Sequence, residues 1–384
     1  MDPFRALRER EPFLTNRSVF SPTYVPADLP GRELDTSRLA GALYPLLQGG
    51  APPNVLIDGP PGCGKSALAR YVLHKLKENA ELAAIPLTFA HVDGRLVNTH
   101  YRLLATLANH LTEGWSDLVP ATGWPTRDVH KHLDAHLRER QGRLVVLLDH
   151  ADALLASAGE DALHDVAGLE RVTIVSTLRD ERALRRASQV VHAQLAQHAL
   201  HLDTYASRQV EAILRERAAI GLRSIPSDDV LASIARTSAS HAGHALNVLV
   251  EASDVVSLRG ASALMQEHVA QACARLDKQR ARDAFLSASD QERLLLRAIS
   301  QTRPQEGAMI VTTGDVYRVY GRLAREERFD VLSMRRVTDL VDQLAARGLV
   351  HARIISRGRY GRSKEISLLV TPDALQAAIE PAEA

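Results

Sequence analysis

Residues 59–66 read Gly59-Pro60-Pro61-Gly62-Cys63-Gly64-Lys65-Ser66, a complete G-x-x-x-x-G-K-S, and what flanks them decides the fold. Before them stands the apolar run PNVLIDG (53–59), and a helical pattern follows over 65–79. A glycine-rich turn alone is a weak signal, but between a strand and a helix it reads as a phosphate-binding loop. Glycines let backbone N–H groups converge on phosphate oxygens, and the helix N-terminus adds a favourable dipole. Lys65 supplies a point charge to the phosphates, and the Ser66 hydroxyl a ligand to Mg²⁺. The expected ligand is ATP or ADP with Mg²⁺, held by residues 59–66.

Further apolar runs follow at PLTFAHVDG (86–94), RLVVLLDH (143–150) and RVTIVST (171–177), with helical patterns such as 98–112 between them. Runs this continuous suit strands of a parallel sheet covered on both faces. Alternating strands and helices argue an α/β nucleotide-binding core over 31–203. Asp149 ends the third run, where a P-loop protein keeps the carboxylate that holds Mg²⁺ through water. An aspartate just past a strand also serves as a helix N-cap, and the preceding loop favours the metal role. Residues 204–283 lose the strand signal and read as a helical lid, with helices at 207–220, 227–238, 242–258 and 265–281. Residues 1–30 carry Pro3, Pro12, Pro22, Pro26 and Pro30 and little periodicity, which suggests an extended N-terminal arm.

From 284 onward the pattern changes. Ser289 and Glu292 form a capping box before LLLRAI. A helix over about 313–326 shows Val316, Val319, Tyr320 and Leu323 at helical spacing, and another after Ser333 repeats it with Val337, Leu340, Val341 and Leu344, stopping at Gly348. Two strands, LVHARIIS and KEISLLV, are joined by RGRYGRS. Three helices and a hairpin make a winged helix over 284–384.

The whole chain has 384 residues, 45% of them apolar, with 47 Lys plus Arg against 46 Asp plus Glu, so overall charge says nothing about nucleic acid. Local charge does. Between Arg335 and Glu365 stand eight Lys or Arg and three Asp or Glu. Arg335 and Arg336 open the third helix, where a helix-turn-helix presents base-contacting side chains. Arg357, Arg359, Tyr360, Arg362 and Lys364 surround a glycine-flanked hairpin tip suited to a minor groove. Charge runs are often only solvated faces; placement on both helix and wing favours duplex DNA. The loop GWSDLVPATGWPT (114–126) carries both tryptophans, and composition leaves two readings open: a packed surface element or a wedge onto DNA. His130, His132 and His136 share one helix without an evident third ligand, so solvated histidines are the better reading than zinc. Two cysteines, Cys63 and Cys273, suit a reducing compartment. The charged start MDPFRALRER and the lack of a long apolar run lead to the expectation of a cytoplasmic protein with no membrane partner.

With these motifs in hand, the chain resembles the archaeal Orc1/Cdc6 family of replication initiators over nearly its whole length. TTGDVYRVYGRLA (312–324), LSMRRVTDLVDQLAARGLV (332–350) and RGRYGRSKEI (357–366) look like the family's winged-helix signature, and FSPTYVPADLPGRE (20–33) is similar to its approach to the ATPase core. The resemblance implies an AAA+ P-loop ATPase core with helical lid and C-terminal winged helix. It implies that VPATGWPT (119–126), with Trp124, contacts origin DNA. It implies that Tyr205 and Arg217 in LDTYASRQVEAILRER (202–217) border the nucleotide, and that Arg185 in LRRAS (184–188) is an arginine finger acting beside Lys65 and Asp149. Implied partners are double-stranded origin DNA, an MCM-type replicative helicase and other initiator paralogues.

The departures lie on the hydrolytic side. His150 stands where the family has the glutamate that orients water, Ser176-Thr177 where it has an asparagine, and Gly243, in SHAGHAL (240–246), where it has an arginine. A carboxylate is the better base for this step. The expectation is a divergent initiator that binds ATP and hydrolyses it very slowly or not at all. An ATP-stabilised, non-catalytic DNA-binding regulator of replication or transcription is the alternative. A signalling NTPase whose winged helix meets protein is disfavoured by the wing cations.

Overall fold

The computed structural model describes residues 12–112, 118–139, 142–179, 187–302, 311–346, 349–356, 362–368 and 375. They fall into two compact units, Met1–Gln266 and Glu267–Ala384.

In the first unit the phosphate loop lies between β1 (Val55–Asp58) and α2 (Lys65–Leu82), with α1 (Glu33–Leu43) ahead of them. There follow β2 (Leu87–Asp93), α3 (His100–Leu111), α4 (Thr126–Glu139), β3 (Arg143–Asp149), α5 (Ala151–Ala158), α6 (Glu160–Ala167), β4 (Val172–Thr177), α7 (Gln189–Leu195) and β5 (His198–His201). All five strands run parallel in the order β2-β3-β4-β1-β5. The unbroken run of β3 is explained by its two faces. Leu144, Val146 and Leu148 point into one core with α3, α4 and α6, while Val145 and Leu147 point into another with α1 and α2. Parallel strands put their carboxyl ends on one edge, so Asp149 and Thr177 arrive beside the loop that leaves β1.

Strand β5 escapes the sequence reading because its alternation is carried by histidine and alanine, and its outward positions are exposed. It pairs only with β1, at the sheet edge.

Three helices, α8 (Ser207–Gly221), α9 (Asp228–Thr237) and α10 (Ala242–Arg259), follow the sheet. The described part of the N-terminal arm is fixed to them. Phe13, Val19 and Phe20 are buried, a 3-10 turn spans Arg17–Phe20, and Leu14 bridges Leu222. Backbone bonds from Thr15 to the Gly221 carbonyl and from Arg223 to the Phe13 carbonyl, both 2.9 Å, complete the join. Gly221 is required there: a Cβ would come 2.4 Å from the Phe20 ring.

The second unit holds all but the first residue of α11 (Gln266–Ser287), then α12 (Asp290–Gln301), β6 (Val311–Thr312), α13 (Thr313–Glu326), α14 (Met334–Ala346), β7 (Val350–Ser356) and β8 (Arg362–Leu368). Its antiparallel sheet has the order β6-β8-β7. Capping boxes at Ser289/Glu292 and Thr312/Asp315 start α12 and α13. Val316, Tyr320, Leu323, Val337, Leu340, Val341 and Leu344 form the core, as their spacing requires. Tyr320 is fully buried, and its hydroxyl donates to the Gln291 side-chain carbonyl at 2.5 Å. Gly348 lies outside the described residues. Among them no helix is long and apolar enough to cross a membrane.

Candidate nucleotide site

Gly59, Gly62 and Gly64 have φ of 141°, 78° and 91°, the backbone region that L side chains rarely adopt. Each is also hemmed in. A Cβ would lie 2.3 Å from the Leu202 carbonyl oxygen at Gly59, 2.2 Å from the His241 ring at Gly62 and 2.5 Å from the Tyr205 hydroxyl at Gly64. Lys65 is buried, its ammonium donating to the Gly59 and Pro60 carbonyls at 2.7 and 2.8 Å. Cys63 is buried with Sγ 3.8 Å from that nitrogen. A backbone cradle built on positive-φ glycines and closed by a buried ammonium fits a polyphosphate.

Ser66 donates to Asp149 Oδ1 at 2.6 Å, so the two residues expected to face Mg²⁺ meet. Hydroxyl and carboxylate oxygens suit that hard cation. Thr177 donates to the same Oδ1 at 2.5 Å and accepts from the His150 N–H at 3.1 Å. Arg70 places Nη2 2.8 Å from Asp149 Oδ2. Burial alone would raise the pKa of Asp149; the Ser66 and Thr177 hydroxyls, with His150 and Arg70, hold it below the usual value. Burial, with Arg70 close by, pushes the His91 imidazole down.

His150 sits at φ 57°, ψ 50°, an uncommon conformation for a residue with a Cβ. Its Nδ1 lies 3.3 Å from Asp93 Oδ1 but makes no hydrogen bond. Asp93 is bound mainly by Arg95, at 2.6 Å, which pulls its pKa from 3.8 to about 2. Thus the His150 position brings an imidazole, not a second carboxylate, between Asp93 and Asp149. Gly243 offers no side chain to the loop, although the helix it opens is docked there: the Ala242 N–H donates to the Gly62 carbonyl at 3.3 Å.

Tyr205 is buried against Gly64, and Arg32 lies over its ring at 4.4 Å. Arg32 also donates to the Cys63 carbonyl at 2.7 Å and the Asp203 carbonyl at 2.5 Å, and pairs with Asp35 at 2.9 Å. It pins the loop to the lid entrance, and burial, which would lower its pKa, is outweighed by Tyr205 and Asp35. Arg217 is buried with its guanidinium 4.3 Å from the Tyr24 ring centre, and desolvation lowers its pKa. Arg32, Arg70 and Tyr24 were not singled out from the sequence. Arg32 had a signal in the stretch 20–33; Arg70, one arginine within a helical pattern, had none. Arg185 lies outside the described residues.

Trp124 is exposed at 42%, its ring edge-on to His132 at 5.6 Å. His132 and His136 face each other, Nε2 to Nε2, at 3.1 Å. Among the described residues no group of three or more His, Cys, Asp or Glu could hold a metal. In the second unit Arg335 and Arg336 are exposed in the first turn of α14. Lys364 is not a loose cation: it is 13% exposed and bonded to Asp342 at 2.6 Å. Arg357, Arg359 and Tyr360 lie outside the described residues, and of Arg362 only the backbone, in β8, is described.

A family profile described as "AAA ATPase domain" matches residues 28–176, and one described as "CDC6, C terminal winged helix domain" matches 283–378. The ORC1-type DNA replication protein of Thermococcus onnurineus is 30% identical, over 93% of this chain and 88% of that protein. The ORC1-type DNA replication protein 1 of Sulfurisphaera tokodaii is 31% identical, over 99% of this chain and 96% of that one. Among solved structures, that of the Aeropyrum pernix ORC1 protein in complex with DNA is similar, with a TM-score of 0.79 and 28% identity, over 95% of this chain and 96% of that one. By fold, by the glycine cradle and by these likenesses, the chain belongs to the ORC1-type family of DNA replication proteins.

Proposed function

We propose that this chain is an ATP-binding initiator that grips duplex origin DNA and helps to recruit an MCM-type replicative helicase, with slow or no hydrolysis. The nucleotide lies on residues 59–66, with Tyr205 and Arg217 bordering it, Lys65 on the phosphates, and Ser66 and Asp149 toward Mg²⁺. The lid is residues 204–283, and the winged helix residues 284–384. Arg335, Arg336, Arg357, Arg359, Tyr360, Arg362, Lys364 and the loop bearing Trp124 meet DNA, in support of which the Aeropyrum pernix relative was solved with DNA bound. The observation that carries the reading is a glycine cradle that admits no Cβ, with the Ser66 hydroxyl delivered onto Asp149 at 2.6 Å. Bound nucleotide would supply charge for the cradle to hold, which Lys65 would neutralise, and Ser66 and Asp149 would hold Mg²⁺ there to offset the phosphate charge.

Equilibrium binding of a fluorescent ATP analogue tests this. Lys65→Ala is expected to weaken binding by about tenfold or more, and unchanged affinity contradicts the site. Weak hydrolysis follows from His150, which replaces a carboxylate, and Gly243, which lacks a cation; each loss costs orders of magnitude in rate. Single-turnover measurement checks it, and a rate equal to that of initiators with the intact residues refutes it. The rival, a non-catalytic regulator, is favoured by the same His150; it predicts equal duplex affinity with ATP and ADP.

A further inference from the structure

Asp149 has both oxygens engaged by the protein. Oδ1 takes the Ser66 and Thr177 hydroxyls, and Oδ2 takes the Arg70 guanidinium at 2.8 Å. The carboxylate is 1% exposed and Arg70 16%, so this ion pair is shielded from solvent. Nor is Arg70 a loose surface chain. Its Nη1 donates to the Pro22 carbonyl, and its Nε is buried without a hydrogen-bond partner. Pro22 belongs to the arm that Phe13, Phe20 and the Arg17–Asp254 pair tie to the lid helices. The guanidinium is therefore held from two sides, on the Asp149 oxygen that Ser66 and Thr177 leave to it.

Arginine keeps its charge at any relevant pH, so this cation cannot withdraw by losing a proton. Mg²⁺ also insists on near-octahedral oxygen ligation and gives up water reluctantly. Two cations pressed on one buried carboxylate repel each other strongly at low effective dielectric. We infer that Arg70 is a resident counter-ion of Asp149, on the oxygen opposite the one Ser66 engages. It neutralises Asp149 whether or not Mg²⁺ is bound and makes nucleotide binding by this chain nearly independent of that ion. The inference rests on the nucleotide reading above and names a residue that reading does not use.

The test is binding of a fluorescent ATP analogue to the full chain, titrated with Mg²⁺ from an EDTA-containing start. Wild type is expected to bind within about threefold equally with and without Mg²⁺, whereas Arg70→Gln loses about tenfold or more in EDTA and recovers it with Mg²⁺. Overturning results are an Arg70→Gln protein as indifferent to Mg²⁺ as wild type, or a wild type that loses about a hundredfold in EDTA. The wild-type arm alone decides if the variant fails to fold. Absence of binding under every condition sinks the nucleotide reading itself; binding with an ordinary Mg²⁺ requirement sinks only the role of Arg70.

Discussion

Asp93 shows how one carboxylate ties the site to pH. Its pKa falls from 3.8 to about 2, chiefly through the bidentate Arg95 contact, so folding favours the ionised form. A depressed carboxylate contributes stability above its unfolded pKa and loses it as pH falls through the folded one. The window is therefore about pH 4 down to 2, and the contribution is up to about 2 kcal/mol before solvent screening and about 1 kcal/mol after it. Denaturant melts across that window are expected to be flatter for Asp93→Asn than for wild type; parallel curves contradict the assignment. Arg32→Ala is the structural counterpart. It strips two backbone carbonyls and the Tyr205 face of their cation. A loss of about 2–3 kcal/mol in chemical denaturation is expected, since a buried charged donor is removed from its acceptors.

At the scale of elements, legibility followed apolar patterning. The three inner strands, β3, β4 and β1, were readable because each carries a run buried on both faces, as Val145 and Leu147 on one side and Val146 and Leu148 on the other show, and edge strand β2 from its apolar run LTFAHV. The helices of the second unit were readable from caps and spacing. Ser289→Ala should cost about 1 kcal/mol in urea melts, because it removes the hydroxyl that accepts the Glu292 N–H in the Ser289–Glu292 box; no shift in midpoint contradicts it. What was illegible came from tertiary contact. β5 exposes Ala199 and His201, buries only Leu200 and is a strand only because β1 pairs with it. The arm's prolines hid the fact that Phe13 and Phe20 reach the lid helices. For the site, the P-loop and Asp149 were legible as local patterns. Arg70 and Arg32 act on partners 79 and 31 residues away, and no local pattern encodes that.

For the whole molecule, the two units have cores that share no residue, one around the parallel sheet and one around Tyr320 and Leu344. Ligand that binds only the native form stabilises by about 2.7 kcal/mol at a hundred times its Kd. Calorimetry with saturating ATP should therefore raise the melting of residues 1–266, and a thermogram unchanged by nucleotide contradicts the site. Arg335 and Arg336, exposed at the start of α14, give the electrostatic side of the account its handle. Phosphate contacts release counterions, so the logarithm of duplex affinity falls with the logarithm of salt by about 0.9 per contact. The most direct measurement is the Kd for a labelled duplex across a salt series, with ATP present, for wild type and Arg335→Ala/Arg336→Ala. The account predicts a steep slope in wild type that becomes shallower in the variant. A wild-type protein that ignores duplex at low salt, or a variant with the same slope and affinity, contradicts it.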